Sequence, residues 1–386
     1  MAETGLPLEG VRVVEMTHMV MGPTCGMILA QLGAEVIKVE PPAGDKTRSL
    51  GGMGVSFFPL FNRGKRSVVL DLAKADDRDT LHRLLEGADV FLENFRDGQL
   101  EKQGLGAEQL REKYPHLIIA GHKGFLSGPY EHRPALDEVV QMMSGLAAMT
   151  GTKEKPQRVG SSANDIMGGM FGVISILAAL YQKRSSGSAS GANIRIGLFE
   201  NCLFLVAQHM VEYEMTGNKP RSMPEREHAW PIYDIFDTAD GNRIFIGVVT
   251  EGHWQSFCRE FGMQEFLDDP SLRTTTDRIM ARSRIILRAA DIIKGWNIAK
   301  LSEKLDALNI CFSPINRPED LFNDPHVLRP GGLVNNFNAD GARFRVPALP
   351  IEWNGANIGE GLKVAPLGAD TAAVRAELEK EMRKRA

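Results

Sequence analysis

Apolar and polar residues alternate along V-R-V-V-E (11–15) with the two-residue period of a strand, and again along A-E-V-I-K-V-E (34–40). Between them, Gly22-Pro23 punctuates the chain and residues 24–32 carry apolar positions at helical spacing. Together these pieces predict a β-α-β unit, the start of a parallel sheet. S-V-V-L (67–70), A-D-V-F-L (88–92) and H-L-I-I-A (116–120) read as further strands. D-D-R-D-T-L-H-R-L-L (76–85), with its acidic first turn, reads as a helix. Strands and helices alternating over the first ~200 residues predict an open α/β domain.

A helix rich in Met, Ala and Gly follows at 136–150, and another at 165–181, whose only charge is Asp165 at its head. The uncharged run 166–181 is short for a membrane span and holds Gly168, Gly169 and Gly172, so a buried helix is expected. A-N-I-R-I-G-L-F (192–199) reads as a strand, with a helix after it to about Met215. A linker is expected over 206–230, where T-G-N-K-P-R-S-M-P-E-R-E (216–227) is dense in Gly, Pro and charge. The texture then changes: I-Y-D-I-F-D-T-A-D-G-N-R-I-F-I-G-V-V (232–249) predicts a hairpin, and helical segments follow to about Leu308. A smaller α+β domain over 231–315 is the reading. From Phe322 the pattern is irregular until a polar helix at 372–385.

A length of 386 residues suits two or three domains, or one large and one small. The net charge of −4 gives no electrostatic reason to expect nucleic acid or an anionic membrane as partner. An anionic ligand would need a local basic cluster. Cys25, Cys202, Cys258 and Cys311 are far apart and form no C-x-x-C pair, which points to free thiols in a reducing compartment, the cytoplasm. The opening M-A-E-T-G-L-P-L-E-G has acids and no apolar core, unlike a signal peptide. No Walker motif, G-x-G-x-x-G, G-x-S-x-G or metal-ligand spacing occurs, so no metal is expected.

Asp165 has two readings. At a helix start it can cap free backbone N–H groups. The same helix end can instead hold it as an ionised carboxylate able to act as a nucleophile. Gly168 and Gly169 follow within a turn, and a helix accepts such glycines where a bulky object approaches the backbone; an acyl chain or pantetheine arm is one. Asp137, in P-A-L-D-E-V-V-Q, also sits near a helix start. His18 lies in the loop after the first strand, where open α/β sheets bind ligands. Lys65, Arg66, Lys74, Arg96, Lys102 and Lys123 lie near strand ends, and a phosphate-bearing ligand would use a few of them.

Taken together these residues resemble the class III CoA-transferases, the group containing formyl-CoA transferase and carnitine CoA-transferase. The resemblance rests on L-x-G-V-R-V-V-E-M-T-H-x-V-x-G-P, L-G-A-E-V-I-K-V-E-P-P, N-R-G-K-R-S-V-V-L-D-L (62–72), A-D-V-F-L-E-N-F-R-D-G (88–98), G-L-A-A-M-T-G, D-P-H-V-L (324–328) and A-P-L-G-A-D-T (365–371). It covers nearly the whole length. It implies an α/β fold with a Rossmann-like open parallel sheet: residues 1–205 and 316–386 form the large domain, and each chain of an interlaced homodimer threads the other. It implies Asp165 as nucleophile, with Asp137 as the acid about 28 residues before it. Coenzyme A contacts map to His18, Lys74, Asn94, Phe95 and Lys102, with Lys123 and Arg133 as further candidates. A CoA thioester is then a co-substrate rather than a tightly bound cofactor, and the partners are an acyl-CoA donor and a small carboxylate acceptor.

Val20 stands where formyl-CoA transferases carry glutamine, and their glycine-rich loop has no counterpart between Thr216 and Tyr233. Both departures point away from oxalate or formate and toward a larger acceptor such as succinate, mesaconate or citramalate. Gly168, Gly169, Val20 and Asp137 are expected to line the substrate pocket. The α-methylacyl-CoA racemases resemble the chain too. They pair the aspartate with a histidine at the position of Leu136, and an alkyl side chain cannot exchange a proton there. Glu251 matches an acid that racemases also use. A non-catalytic CoA-ester binding protein is the third reading.

Overall fold

The β-α-β start grows into a six-stranded, all-parallel sheet. The computed structural model describes residues 5–226 and 228–385. Strands β1 (Arg12–Met16), β2 (Glu35–Glu40), β3 (Arg66–Val69), β4 (Val90–Glu93), β5 (Ile118–Lys123) and β6 (Asn193–Gly197) lie in the order β3-β2-β1-β4-β5-β6. Every neighbouring pair is parallel. This is the doubly wound order, in which winding reverses between β1 and β4 and ligands bind beyond the strands' carboxyl ends.

A parallel sheet is apolar on both faces and needs helices on both. Val13, Val90, Leu92, Ile118 and Ala120 feed one core, and their neighbours Val14, Phe91 and Ile119 feed the other. The helices of this part are α1 (Met21–Gln31), α2 (Phe57–Asn62), α3 (Ala75–Glu86), α4 (Ala107–Lys113), α5 (Asp137–Met143), α6 (Leu146–Thr150), α7 (Ala163–Ser186) and α8 (Leu198–Thr216). The first core takes Cys25 and Leu29 of α1, Val173 and Ile176 of α7, and Cys202 of α8. The second takes Leu81, Leu84 and Leu85 of α3 and Leu110 of α4.

The single helix expected over 136–150 is two helices. Gly145 breaks it with a φ of +86°, a left-handed conformation that glycine adopts without strain. Helix α8 continues to Thr216, into the stretch expected to be a linker. Helix α7 is longer than expected and is buried on one face only. Gly168, Gly169, Gly172, Val173 and Ile176 are buried, while Met170, Ile174 and Tyr181 are exposed. By length and composition α7 is apolar enough to cross a membrane, with 33% of that stretch buried.

Glu225–Pro325 is a second compact unit. Strands β7 (Ile232–Asp237) and β8 (Arg243–Val248) form the expected hairpin, and β9 (Cys311–Pro314) pairs with β8. Helices α9 (Glu251–Glu260), α10 (Gln264–Asp268), α11 (Thr275–Met280), α12 (Arg282–Ile293) and α13 (Ile298–Ala307) complete it around Trp254, Phe257, Ile285 and Leu301. From His326 the chain belongs to the first unit again. The stretch expected to be irregular holds a hairpin, β10 (Leu333–Phe337) and β11 (Arg343–Pro347). The terminal helix α14 (Thr371–Arg385) adds Val374 and Leu378 to the second core.

Candidate active site

The loops after β1, β4 and β5 meet where the sheet reverses. The loop after β1 presents His18, Met19 and Val20, and the loop after β4 presents Asn94 and Phe95. With α5 and the head of α7 these residues enclose a cavity of about 650 Å³. Two hydrogen bonds tie the loops across the reversal: His18 N–H donates to Asn94 Oδ1 at 3.0 Å, and Asn94 Nδ2 donates to the His18 carbonyl at 2.7 Å. The His18 ring lies 5.8 Å from that of Phe95. Met19 has a φ of +65°, a strained left-handed conformation in the cavity wall.

Asp165 lies in the first turn of α7, but it does not cap the helix. Its own N–H donates to Asp137 Oδ2 at 3.2 Å, so Asp137, buried on α5, supplies the cap. Gln141 Nε2 donates to the other oxygen of Asp137, and Gln141 Oε1 accepts from Val159 N–H at 2.9 Å. Among the described residues none donates a hydrogen bond to the Asp165 carboxylate, which faces the cavity. Asp165 is half-buried and lines the cavity. Burial pushes the Asp165 carboxyl up to about 7, and the charges of Asp137 and Glu138 add to the rise. The helix end was expected to keep this group firmly ionised; burial and two like charges outweigh it.

Gly168 and Gly169 do not line the cavity, and the object close to them is not a ligand. A Cβ on Gly168 would stand 2.5 Å from Met21 Cε, and one on Gly169 would stand 2.7 Å from the Met21 carbonyl oxygen and 2.7 Å from Thr24 Cβ. These glycines let α7 pack against the first turn of α1. Gly172, one turn on, makes room for His122, whose Nε2 would lie 2.5 Å from a Cβ there. His122 reaches the cavity wall and is otherwise buried, with the Glu93 and Gly168 backbone close to its ring. Burial pulls its imidazole down to about 4, so it is neutral at working pH.

Val20, Asp137, Arg133, Lys123, His18, Asn94 and Phe95 all border the cavity. Lys123, however, is already engaged. Its ammonium pairs with Glu93 at 2.8 Å and Asp97 at 3.1 Å and donates to the Phe95 carbonyl at 2.9 Å. It braces the loop after β4 and has no donor left for a phosphate, which corrects the expectation of a direct contact. Lys74 and Lys102 are exposed and lie outside the cavity wall. Their chain neighbours Ala73 and Gln103 line a second cleft of about 410 Å³, with Val39, Leu72 and Phe95; the two lysines themselves do not line it. Phe95 therefore borders both spaces. Glu251, in the second unit, is paired with Arg278 through contacts of 2.5 and 3.1 Å.

Among the residues missed from sequence that the site uses are Gln141, Arg158, His122 and Glu138. Gln141 had a readable signal, since it lies four positions after Asp137 and i, i+4 side chains meet on a helix. The other three had none.

The description CoA-transferase family III matches residues 8–371 of the chain. The chain belongs to that family. As a CoA-transferase it moves CoA from an acyl-CoA thioester to a carboxylic acid, and CoA thioesters are its co-substrates. Among its relatives, the succinyl-CoA–D-citramalate CoA-transferase of Chloroflexus aurantiacus is 31% identical over 375 residues, covering 92% of each chain. The succinate–glutarate CoA-transferase of Agrobacterium fabrum is 32% identical over 97% of this chain and 96% of its own. A solved CAIB/BAIF family protein from Brucella suis superposes with a TM-score of 0.86 at 31% identity, over 97% of this chain and all of that one. The CoA-transferase fold thus brings His18, Asn94, Phe95, Asp137 and Asp165 to one cavity, and sets Ala73 and Gln103, the neighbours of Lys74 and Lys102 in sequence, in the wall of the next cleft.

Proposed function

We propose that this CoA-transferase works through covalent catalysis by Asp165, with a short dicarboxylic acid such as succinate, mesaconate or citramalate as acceptor. One observation carries the reading: the Asp165 carboxylate, alone among the acids of the cavity wall, combines burial, freedom from hydrogen bonds and a place at a helix head. An Asp165 oxygen attacks the donor thioester carbonyl, giving a mixed anhydride and CoA thiolate. The thiolate attacks the Asp165 carbonyl carbon, releasing the donor's carboxylate and leaving an aspartyl-CoA thioester. The acceptor carboxylate then attacks that thioester, and the returning thiolate takes the acceptor's acyl group, restoring Asp165. Water would destroy each intermediate, so a walled cavity suits the chemistry.

The thioester's reactive end occupies the main cavity and the rest of CoA passes Phe95 toward the second cleft, near Lys74 and Lys102. The dicarboxylate preference draws on the relatives that act on citramalate and glutarate. Leu136, an alkyl chain in the cavity wall, favours transfer over a two-base racemisation. The working enzyme is an interlaced homodimer. Met170, Ile174 and Tyr181 of α7, with Phe204, Val211 and Met215 of α8, form an exposed apolar surface of the kind that a partner covers. It acts in the cytoplasm, a reading supported by its free cysteines, three of them buried.

Asp165→Ala should abolish transfer while leaving acyl-CoA binding, followed by calorimetry, within about threefold. Turnover retained in that variant, or a hydroxylamine-trapped label on any peptide other than the one holding Asp165, refutes the mechanism.

A further inference from the structure

Lys46, Arg96, Lys123, Arg133 and Arg158 bring positive charge to the cavity wall. Lys123 is engaged by Glu93 and Asp97, and the Arg133 guanidinium lies 4.8 Å over the Tyr130 ring. Lys46 and Arg96 belong to the loops after β2 and β4, which accompany His18, Asn94 and Phe95. Arg158 comes from the segment between α6 and α7 that leads directly into Asp165. Both of its neighbours are anchored: Gln157 N–H donates to the Ala147 carbonyl at 3.0 Å, and Val159 N–H donates to Gln141 Oε1 at 2.9 Å. Gln141 holds Asp137, and Asp137 holds the Asp165 N–H. Arg158 is thus mounted on the same hydrogen-bonded frame as Asp165.

The Arg158 guanidinium lies 3.1 Å from Glu138 Oε1, with their side chains 33% and 51% exposed. An ion pair that open to water is weak and exchanges readily with another carboxylate. Glu138 also stands near enough to Asp165 for its charge to help raise that carboxyl. Arg158 and Asp165 line the same cavity of about 650 Å³, space enough for a short carbon chain with a carboxyl group at each end.

We propose that Arg158 receives the distal carboxylate of a dicarboxylic acid whose other carboxyl group reacts at Asp165, displacing Glu138 as its partner. A dianion entering a cavity that already holds Asp165, Asp137 and Glu138 needs one fixed cation at its far end. A guanidinium supplies it with paired N–H donors that match two carboxylate oxygens. Glu138 fills that position in the resting enzyme with the same chemical group the ligand would bring.

This inference rests on the CoA-transfer reading, and matched acids separate the two. CoA exchange is measured with succinate against butyrate and with glutarate against pentanoate, pairs that differ in the distal carboxylate. The wild-type enzyme should prefer the diacids. Arg158→Gln should lower kcat/KM for the diacids by about 10- to 100-fold, mainly through KM, and leave the monoacids within about twofold. Glu138→Gln, which removes the competing carboxylate, should lower KM for the diacids. A wild-type enzyme without diacid preference, or an Arg158→Gln variant that keeps that preference or loses both acid classes equally, overturns the assignment. Wild-type enzyme that exchanges no acid at all overturns the CoA-transfer reading, and this one with it.

Discussion

Asp137→Asn removes one negative charge beside Asp165 at constant size. With the Asp165 carboxyl at about 7, about one molecule in ten is ionised at pH 6 and about nine in ten at pH 8. Only the ionised form attacks a thioester, so wild-type kcat/KM should rise about tenfold over that interval and fall away as pH drops through 7. Burial is the largest cause of the rise from 3.8 to about 7, so the Asp137 charge accounts for less than half of it. Taken just under that half, at about 1.5 pH units, it is worth about 2 kcal/mol. Removing it takes the ionised fraction at pH 6 from about a tenth to about three-quarters. The ratio of activity at pH 6 to that at pH 8 should therefore rise from about 0.1 to about 0.75.

The substitution has a structural cost that is separable from this effect. Asp137 accepts from both Asp165 N–H and Gln141 Nε2. An asparagine amide offers one oxygen, so one N–H is left facing another, at about 1–3 kcal/mol of stability. Stability acts on the amount of folded enzyme and not on the position of the pH limb. The assay is exchange of labelled succinate into succinyl-CoA from pH 5.5 to 9, reported as kcat/KM. A wild-type profile flat across this range, or a rising limb at the same pH in both proteins, refutes the electrostatic account.

Asp165→Asn should stabilise the fold, because a carboxyl that ionises at about 7 when folded and near 3.8 otherwise loses the folded state stability as pH rises between those values. Urea titrations should show the variant more stable by on the order of 4 kcal/mol at pH 8 and by roughly half that at pH 5. Gly169→Ala should destabilise by roughly 1–3 kcal/mol, since its methyl meets the α1 backbone, whereas Gly168→Ala meets only the flexible end of Met21 and should be near neutral; equal urea midpoints for the two would contradict the packing described.

The strands and most helices were readable because each advertises its own period. V-R-V-V-E and A-E-V-I-K-V-E gave β1 and β2 almost to the residue, and the acidic first turn gave α3. Asp165 was readable as a helix head. What it does there was not, because the cap comes from 28 residues away and the anchor of Val159 from 18. Lys123 looked like a phosphate contact because a sequence shows a charge without its partners; Glu93 reaches it only once β4 pairs with β5, and Asp97 only once the loop after β4 has folded. The β10–β11 hairpin was lost among the turn residues N-A-D-G-A that join its strands. The 136–150 break was hidden because Gly145 fits a helical pattern until its backbone turns left-handed.

Gly168 and Gly169 were assigned to a ligand when they serve a helix, yet the correction leads back to the chemistry. By admitting Met21 and Thr24 of α1 against the second turn of α7, they bring the heads of two helices side by side at the cavity. The first turns of both helices hold backbone N–H groups that have no partner within the helix. One of them, on Asp165, is satisfied by Asp137. The Asp165 carboxylate itself receives no such bond, and burial leaves it a stronger base than an exposed aspartate. If Asp165 attacks the thioester as proposed, the new negative charge falls on the thioester's own carbonyl oxygen, two bonds from the attacking oxygen, and the remaining helix-head N–H groups are the donors that would stabilise it. On that mechanism the resting carboxylate, raised by burial, is the less stabilised charge and the developing oxyanion the better stabilised one. That difference between ground state and transition state is what lowers a barrier, and here it follows from two glycines, a buried helix head and a neighbouring acid that takes the capping role.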